Sequence, residues 1–498
     1  MSAIITEKFR QHNANQFFES FTETSGNTYY LFLGKATPFT SGTTTGSDSS
    51  PPTPQDGEQD ETRAWDSMLA AKKIASTDIT YAIPRRNWVN GTTYDMYEHN
   101  ISSGNTSTSG ASNIYDSTFY FVTSDYRVYK VLDNNGGVAY DGAEPTSTST
   151  SPFALGGYVL KYMYDISTTD IGKYVTTDFI PVATDSTVSA AATDGAIESL
   201  TITAGSGYTD GTYYAAVYGD GTSQGTSSGA IIRITVSSGA IASFGLTAGT
   251  DTTIHAAGAA YTYGYVNLGA GYTFSDSGLT SASNMGGSGG AINVVISPEG
   301  GHGSNAVTEL GGHYIMSAST ITQAENDDFS TANDFRQVGI VVDPTTYGTT
   351  TVASATTARQ TNVVKFASYN GTFEADEVIT QATTGAVGKV VEWDSVLQLL
   401  YYQQESFKGF GTNATTGGLV AFSGTNTITG GTSGATGVPS STSSETVTLA
   451  NSNTLTLTSG YANPELQPDS GDIIYLENRK PIQRASDQTE DIKIIIEF

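Results

Sequence analysis

The chain has 498 residues, with 22 basic and 49 acidic side chains and a net charge of −27. Nucleic-acid-binding domains cluster Lys and Arg, and this sequence has only short basic pairs, which argues against DNA or RNA as a partner. It has no cysteine, so a disulfide framework and thiolate chemistry are excluded. Only 14% of its residues are charged, whereas Gly (55) and Tyr (29) are abundant, as is typical of rigid β-rich structural proteins.

The N-terminal part predicts two helices and a strand. Residues 3–24 carry apolar side chains at helical spacing and predict the first helix. Residues 28–39 predict a strand, and the Ser-, Thr- and Pro-rich residues 41–61 predict a loop. Residues 62–74 predict a second helix with its apolar side chains on one face.

Four further β segments follow. Residues 78–89 predict a strand that ends in a proline turn, and residues 117–134 predict two strands around the turn Ser124–Asp125. Residues 157–166 and 175–182 predict two more strands. The first 182 residues therefore predict two helices among several strands.

The middle of the chain contains two pairs of similar segments. "GAIESLTITAGSGYTDGTY" (195–213) is followed by the similar "GAIASFGLTAGTD" (239–251), with a predicted strand at 229–239 between them. "ITQATTGAVG" (379–388) likewise resembles "ITGGTSGATG" (428–437). Such pairs of similar segments predict small repeated β units.

The second pair of similar segments, 379–388 and 428–437, predicts hairpins with tight turns at Gly385 and Gly434. Residues 409–444 contain no Asp, Glu, Lys or Arg. This composition allows a disordered linker, but the repeat favours a fold of short strands.

The last residues alternate between apolar and polar side chains. Ile492, Ile494, Ile496 and Phe498 occupy every second position, which predicts a strand with one buried face. We expect this strand to pair with one from the first 182 residues.

Two histidines raise the question of a metal site. Its ligands would be His302, His313 and either Glu299 or Glu309. Their spacing matches neither HExxH nor a zinc-finger pattern. The alternative is a Gly-rich turn in which His302 bonds the backbone, followed by a short helix that Ser304 or Asn305 caps.

Other catalytic patterns are equally weak. The Asp-Gly sequences within 207–223 lack the closing Glu of a calcium loop and are typical of turns. Carboxylate pairs such as Glu325–Asp328 or Asp487–Glu490 cannot be placed at a catalytic separation from sequence alone. We therefore expect no catalytic, cofactor-binding or metal-binding residues, and a protein that is not an enzyme.

Two basic clusters stand out in this acidic chain. "IPRRNW" (83–88) and "LENRKPI" (476–482) each place basic residues beside a proline. Arg and Trp are favoured in interface cores, so these clusters either contact a partner or pair with acidic groups of the same chain.

Several of these segments resemble one family, the gene product 8 family of baseplate wedge subunits in contractile-tailed bacteriophages. They are 82–88, 126–134, 157–166 and the terminal 473–498, in the family's order. The residues that match its motifs are Pro84, Arg85, Arg86, Trp88, Gly157, Tyr158, Glu477, Asn478, Arg479, Pro481, Ile482, Asp487, Gln488, Thr489 and Glu490. The resemblance covers residues 1–182 and 473–498, and residues 184–460 depart from the family pattern.

The resemblance implies a mainly β fold: a layered β-sandwich core with two helices on long excursions and, here, inserted small β-domains. It implies a homodimer in the virion tail baseplate that contacts other wedge proteins and tail-fibre attachment proteins, made in the host cytoplasm, with no cofactor, nucleic acid or membrane partner. The motif residues are its candidate interface residues.

On this basis we expect four regions. A discontinuous core comprises residues 1–183 and 462–498, with inserted β-repeat regions at 184–297 and 346–461 and a core-associated return segment at 298–345. The sequence also leaves a receptor- or glycan-binding tail protein as an alternative, because uncharged Tyr- and Thr-rich loops suit sugar stacking, and a polysaccharide hydrolase as a more distant one. No secretory signal or membrane span is expected from the sequence.

Overall fold

The computed structural model describes residues 6–23, 26–39, 46–221, 229–268, 271–275, 278–283, 285–406, 418–449 and 452–498. The helices are α1 (Glu7–Ser20), α2 (Glu58–Ser67), α3 (Thr168–Tyr174), α4 (Ser186–Ala191), α5 (Ala306–Glu309) and α6 (Glu325–Asp328). No helix in the described ranges is both long and apolar enough to cross a membrane.

The strands up to residue 300 are β1 (Tyr29–Gly34), β2 (Met68–Lys73), β3 (Ile79–Pro84), β4 (Tyr120–Val122), β5 (Arg127–Asp133), β6 (Phe153–Leu155), β7 (Tyr158–Asp165), β8 (Phe179–Pro181), β9 (Ile197–Thr203), β10 (Ser206–Tyr208), β11 (Gly211–Gly219), β12 (Ile231–Ser237), β13 (Ala240–Ile241), β14 (Thr253–Ala256), β15 (Gly264–Val266), β16 (Gly271–Ser275), β17 (Gly278–Ser283), β18 (Gly286–Ser288) and β19 (Ala291–Ile296). The later strands are β20 (Tyr314–Thr322), β21 (Phe335–Val342), β22 (Thr357–Arg359), β23 (Asn362–Asn370), β24 (Val378–Gln381), β25 (Ala386–Asp394), β26 (Leu399–Gln403), β27 (Ile428–Gly430), β28 (Thr436–Pro439), β29 (Glu445–Thr448), β30 (Thr454–Leu457), β31 (Tyr461–Ala462), β32 (Asp472–Ile482) and β33 (Thr489–Glu497). The predicted mainly β fold is confirmed.

The chain forms two compact units. Unit 1 comprises Met1–Gln16, Thr80–Met316 and Ile495–Phe498, and unit 2 comprises Phe17–Ile79 and Ser317–Ile494. Each unit therefore combines residues from the beginning, the middle and the end of the chain. The division into a core with two insertions stays a prediction.

The main sheet of unit 2 has five strands in the order β22, β2, β1, β21, β32. Its strand β21 is antiparallel to β1 on one side and to β32 on the other. All eight residues of β21 are buried, as is usual for a strand covered on both faces. The sheet therefore joins strands from both ends of the chain through a strand from its middle.

A second sheet of unit 2 has seven strands and closes on itself through the pairing of β26 with β23. It contains the hairpins β24–β25 and β27–β28. Gly385 and Gly434 lie in their turns with φ of 78° and 67°, a conformation that favours glycine. Both predicted hairpins are confirmed, and residues 418–444 contain the predicted short strands. Residues 409–417 lie outside the described residues.

Unit 1 contains a four-stranded sheet in the order β4, β5, β7, β6, whose buried tyrosines and phenylalanines form its first hydrophobic core. The predicted hairpin around Ser124–Asp125 is the β4–β5 pair. Strands β10 to β18 form a seven-stranded and a two-stranded sheet, and β9 pairs with β19.

The first predicted repeat is wrong as a structural repeat. Residues 195–213 contain the seven-residue strand β9, whereas 239–251 contain only the two-residue β13. The second copy ends in a turn, in which the carboxylate of Asp251 accepts a hydrogen bond from the Thr247 backbone N–H at 2.9 Å. Similar sequences here form different local structures.

The second predicted helix is partly wrong. Helix α2 begins at Glu58, earlier than predicted, and ends at Ser67, and the following residues form strand β2. Strand β2 lies between β1 and β22, so its run Met68–Ala71 is buried on both faces. A short continuous apolar run does not distinguish a helix from a doubly covered strand.

The pairing predicted for the last strand is also wrong. Strand β33 is adjacent to β20, a strand from the return segment, in the order β33, β20, β3, β8. Of the four alternating residues, only Ile494 is fully buried, and Ile492, Ile496 and Phe498 are half-buried. The alternation identified the strand but overstated how much its apolar face is covered.

The close strand packing in unit 2 predicts that Gly339→Ala destabilises the protein. A Cβ at this position would lie 2.4 Å from Cζ of Phe32 and 2.6 Å from the carbonyl oxygen of Tyr475. We expect a loss of about 1–3 kcal/mol in the free energy of unfolding, because neighbouring strands must move. Urea unfolding measures it. Gly104→Ala, where a Cβ meets no atom within 4 Å, is the matched control, and equal stability of the two variants would contradict the prediction.

Candidate assembly site

The two arginines of the first motif are held within unit 1. Strand β3 ends at Pro84, and Nη1 of Arg85 donates to the carbonyl oxygen of Thr176 at 2.9 Å. Nη2 of Arg86 donates to the carbonyl oxygen of Tyr115 at 2.6 Å, and its guanidinium lies 4.4 Å from the centre of the Tyr120 ring. These contacts involve backbone carbonyls and a ring, where the sequence suggested acidic groups or a partner.

Trp88 and Tyr158 support the same core. The Trp88 ring packs edge-on against Tyr140, with centroids 5.9 Å apart. Tyr158 is buried, and its hydroxyl donates to the carbonyl oxygen of Val138 at 2.7 Å and accepts from the Tyr94 backbone N–H at 3.1 Å. Both side chains therefore hold the fold of unit 1.

The Trp88 neighbourhood also has unsatisfied and exposed groups. The indole N–H of Trp88 and Nη1 of Arg86 are buried and have no hydrogen-bond partner among the described residues. Val89 and Val138, on the segments that adjoin there, are each more than half exposed. Buried unpaired donors cost about 1–3 kcal/mol each, so this motif is not optimised for stability alone.

In unit 2, the second motif begins on strand β32. Asn478 accepts from Nε2 of Gln337 and donates to the carbonyl oxygen of Pro52, both at 2.9 Å. This side chain therefore ties β32 to its neighbour β21 and to the predicted loop.

The opposite face of β32 carries a polar row, Tyr475, Glu477 and Arg479, which share a face because strand side chains alternate. Glu477 accepts from the Tyr475 hydroxyl at 2.8 Å and from Nε of Arg479 at 3.0 Å. Burial, together with the Glu477 carboxylate, raises the pKa of Tyr475 to about 12. The guanidinium of Arg479 is half exposed, so the row presents a fixed acidic and basic pair at the surface.

Beyond β32, the motif forms a turn closed by Arg484, which the sequence analysis did not single out. Its Nε and Nη2 contact both carboxylate oxygens of Glu490, at 3.2 and 2.9 Å. Its other hydrogen bonds go to the carbonyl oxygens of Phe329, Ser330 and Gln323. All five N–H groups of the guanidinium are thus used. The signal in the sequence was a single arginine six residues before the motif glutamate.

The remaining motif residues lie around this turn. Pro481 and Ile482 are half-buried at the end of β32, and Asp487, Gln488 and Thr489 are exposed. The Gln488 carbonyl accepts from the Gln323 backbone N–H at 2.9 Å. The second motif therefore combines a buried anchor, Arg484–Glu490, with exposed groups on both sides of it.

The two histidines considered for a metal site lie in different clusters of unit 1. His313 contacts the two ends of the chain: Nε2 lies 3.3 Å from Nη1 of Arg10, and Nη2 of Arg10 pairs with Glu497 at 3.0 Å. The His313 carbonyl accepts from the Phe498 backbone N–H at 3.2 Å. Burial lowers the pKa of His313. This cluster fixes helix α1 to the last strand.

His302 lies beside a buried ion pair. Nζ of Lys130 is 2.9 Å from Oε2 of Glu309 and 2.9 Å from Nδ1 of His302, and it lies over the Tyr97 ring. Burial, followed by the charge of Lys130, holds the pKa of His302 well below its usual range, so the neutral ring accepts from the ammonium. Lys130 therefore holds the glycine-rich turn through His302 and Glu309. Among the described residues, no group of His, Asp and Glu has metal-binding geometry.

The short helix after this turn is confirmed as α5, with Asn305 as its cap. Oε1 of Glu309 also accepts from the backbone N–H groups of Gly303 and Asn305. Lys130, which the sequence analysis did not single out, thereby connects strand β5 to this turn and helix.

Comparison with known families finds a match. The family model for bacteriophage T4 Gp8 matches residues 3–144 and 443–498, less than half of the chain. No curated protein matches the chain. The match confirms the resemblance to the baseplate wedge family in the two terminal parts and supports a structural role in the phage tail baseplate.

The Arg484–Glu490 pair predicts a sharp contrast within one motif. Arg484→Ala is expected to lower the free energy of unfolding by about 3–5 kcal/mol, because it leaves a buried carboxylate and several carbonyls without donors. Arg479→Ala removes only an exposed pair and is expected to cost less than about 1 kcal/mol. Chemical denaturation of both variants measures the difference, and equal losses would contradict this assignment.

The buried Lys130–Glu309 pair predicts that substitutions of the two residues have strongly coupled effects on the free energy of unfolding. Lys130→Met and Glu309→Gln are each expected to cost about 3–5 kcal/mol, since each leaves the other group buried without its partner. The double variant should lose clearly less than the sum of the two. Urea unfolding of the four proteins in this cycle measures the coupling, and additive losses would show that the groups act independently.

Proposed function

Because its terminal parts match the Gp8 family model, we propose that this chain is a structural subunit of a phage baseplate wedge. It assembles by protein–protein contacts with neighbouring wedge proteins and with the proteins that attach tail fibres. Its place is the tail baseplate of the virion, after synthesis in the host cytoplasm. Its role is to provide rigid surfaces to which neighbouring proteins bind in a fixed order. This role needs no catalytic step.

One observation carries this proposal. The family match falls on two separated parts of the chain, 3–144 and 443–498. Strands from both parts, β1 and β2 from the first and β32 from the second, lie in one five-stranded sheet. A match that was only a local likeness would have no reason to fall on strands of one sheet.

The exposed polar row of β32 is the surface that best fits a contact in the wedge. Tyr and Arg are enriched where proteins meet, and here the Glu477 carboxylate already holds both Tyr475 and Arg479 in position. Side chains that are fixed before binding lose less entropy when a partner binds. We assign Glu477 and Arg479, with exposed Asp487 and Gln488, to this contact.

The first motif contributes differently. Arg85, Arg86 and Tyr158 donate hydrogen bonds to backbone carbonyl groups of unit 1. They therefore stabilise the segments that form its surface. The exposed part of that surface is Val89 and Val138. We propose that this apolar patch lies against a second copy of the chain, because two-fold homodimers are the commonest symmetric assembly.

Light scattering of the full-length protein at two concentrations tests the assembly state. A stable dimer, twice the chain mass of 52.1 kDa, supports the wedge subunit, and Val89→Asp should then shift it to monomer. A trimer would contradict the proposal, because three-fold assembly is typical of fibres and spikes. Antibody labelling of virions tests the location, and label along the fibres instead of the baseplate would also contradict it.

The contact assigned to β32 predicts that Arg479→Glu weakens binding to the other baseplate proteins. We expect at least about a tenfold loss of affinity in pull-down titrations, as expected when a like charge is placed at an interface. Thermal stability should fall only slightly, because the lost pair and the new repulsion from Glu477 both lie at a half-exposed site. Lys493→Glu, on the last strand, is the charge-matched control. Unchanged binding by Arg479→Glu would remove β32 from the interface.

A further inference from the structure

A groove of about 540 Å³ lies in unit 1 beside strands β15 and β19. Of its lining residues, only His99 and Asn100 fall within the ranges that match the family model. Its walls include Tyr265, His99 and Asn293. None of the roles assigned above uses it.

The base of the groove depends on a glycine. A Cβ at Gly264 would lie 2.9 Å from Cγ1 of Val217 and 3.0 Å from Cγ2 of Val294. A side chain here would therefore force β15 away from the neighbouring strands. The missing side chain lets the backbone of β15 approach β19 closely and sets the shape of the groove.

One wall is an exposed aromatic ring on a rigid support. Tyr265 is 58% exposed. It stacks on Tyr218 of β11, with centroids 5.6 Å apart and planes inclined by 27°. The carboxylate of Asp220 accepts from the backbone N–H groups of Thr262 and Tyr263 at 2.9 and 3.3 Å. The ring is thus held in place before any ligand arrives.

The other polar side chains of the groove are neutral, and its remaining walls are apolar, among them Val266, Leu268 and Ile292. Asn100, Asn267 and Asn293 contribute amides, and none of the described residues that line the groove carries an Asp, Glu, Lys or Arg side chain. His99 accepts from the Ile296 backbone N–H through Nδ1 at 3.1 Å, so its proton lies on Nε2, which makes the ring a donor. Burial lowers the pKa of His99, and the ring is neutral at physiological pH.

We propose that this groove binds a neutral oligosaccharide, with Tyr265 stacking on one face of a sugar ring and the amides and His99 bonding its hydroxyl groups. A rigid aromatic platform beside neutral donors and acceptors matches a sugar ring, which has an apolar C–H face and a rim of hydroxyls. An acidic saccharide would find no cation in the described walls and would meet a chain of net charge −27. This binding activity goes beyond the structural role and does not depend on it.

Titration of the full-length protein tests the proposal, with maltohexaose, cellohexaose and a β-1,3-linked glucan hexamer as neutral probes and an oligogalacturonate as the acidic one. At least one neutral probe should bind. Tyr265→Ala should weaken that binding about tenfold or more, since about 1.4 kcal/mol of lost ring contact corresponds to a factor of ten. Tyr265→Phe keeps the stacking ring and should stay within about threefold.

Two variants complete the design. Tyr347→Ala removes another exposed tyrosine, 39% exposed and in unit 2, and should leave binding unchanged. If Tyr265→Ala lowers the unfolding temperature, Asn293→Asp places a charge in the same groove on an exposed position and should still abolish binding. Binding of none of the neutral probes at about 10 mM, binding of the acidic probe alone, or binding indifferent to both groove variants would overturn the proposal. None of these results bears on the dimer or on virion location.

Discussion

The fold of unit 2 depends on the hydrogen bonding of strand β21 along both of its edges. Strand β1 comes from the first part of the chain and β32 from the last, and neither pairs with the other. Residues 335–342 connect them, yet they lie outside the family match. The middle of the chain is therefore not one dispensable insertion, because removing residues 145–442 as a block would leave β1 and β32 with unpaired backbone groups. Longer loops elsewhere in that region cost little, since loop closure grows by only about 0.6 kcal/mol per doubling of length.

A second theme is the use of scarce cations. A β-rich chain with irregular connections has many carbonyl groups that no strand partner satisfies, and an arginine offers five donors in a fixed fork. Arg85, Arg86 and Arg484 are used in this way, as is Arg359, whose Nη2 donates to the carbonyl of Asn463 at 2.8 Å. Among the described residues, five basic and five acidic side chains are buried, so this internal use of cations leaves the acidic excess at the surface unchanged.

Local signals in the sequence predicted much of the fold. The turns at Gly385 and Gly434 follow from glycine chemistry, and the hairpin at Ser124–Asp125 follows from alternation on both sides of a turn. The strand of residues 68–73 was assigned to a helix because its apolar run has no period, and only its two neighbouring strands decide its conformation. The partner of β33 could not be predicted either, because pairing between residues far apart in sequence leaves no mark on either strand.

The site was less predictable than the fold. Motif residues such as Tyr158 and Asn478 were identified, but whether they face a partner or the interior depends on packing that a linear pattern does not contain. Arg484 and Lys130 were missed because a buried cation is recognised only by the carbonyls and carboxylates that surround it. The groove beside Tyr265 required knowledge that β15 and β19 approach each other at Gly264.

The ion pair between Arg10 and Glu497 limits when unit 1 can finish folding during synthesis. Proteins are synthesised from the N-terminus, and these two residues are separated by almost the entire chain. Helix α1 is synthesised long before Glu497, so Arg10 cannot meet this partner while the residues between them are being added. Unit 1 can therefore complete its packing only after residues 495–498 have been made. Until then Arg10 and His313 lack one of their charged neighbours, Glu497.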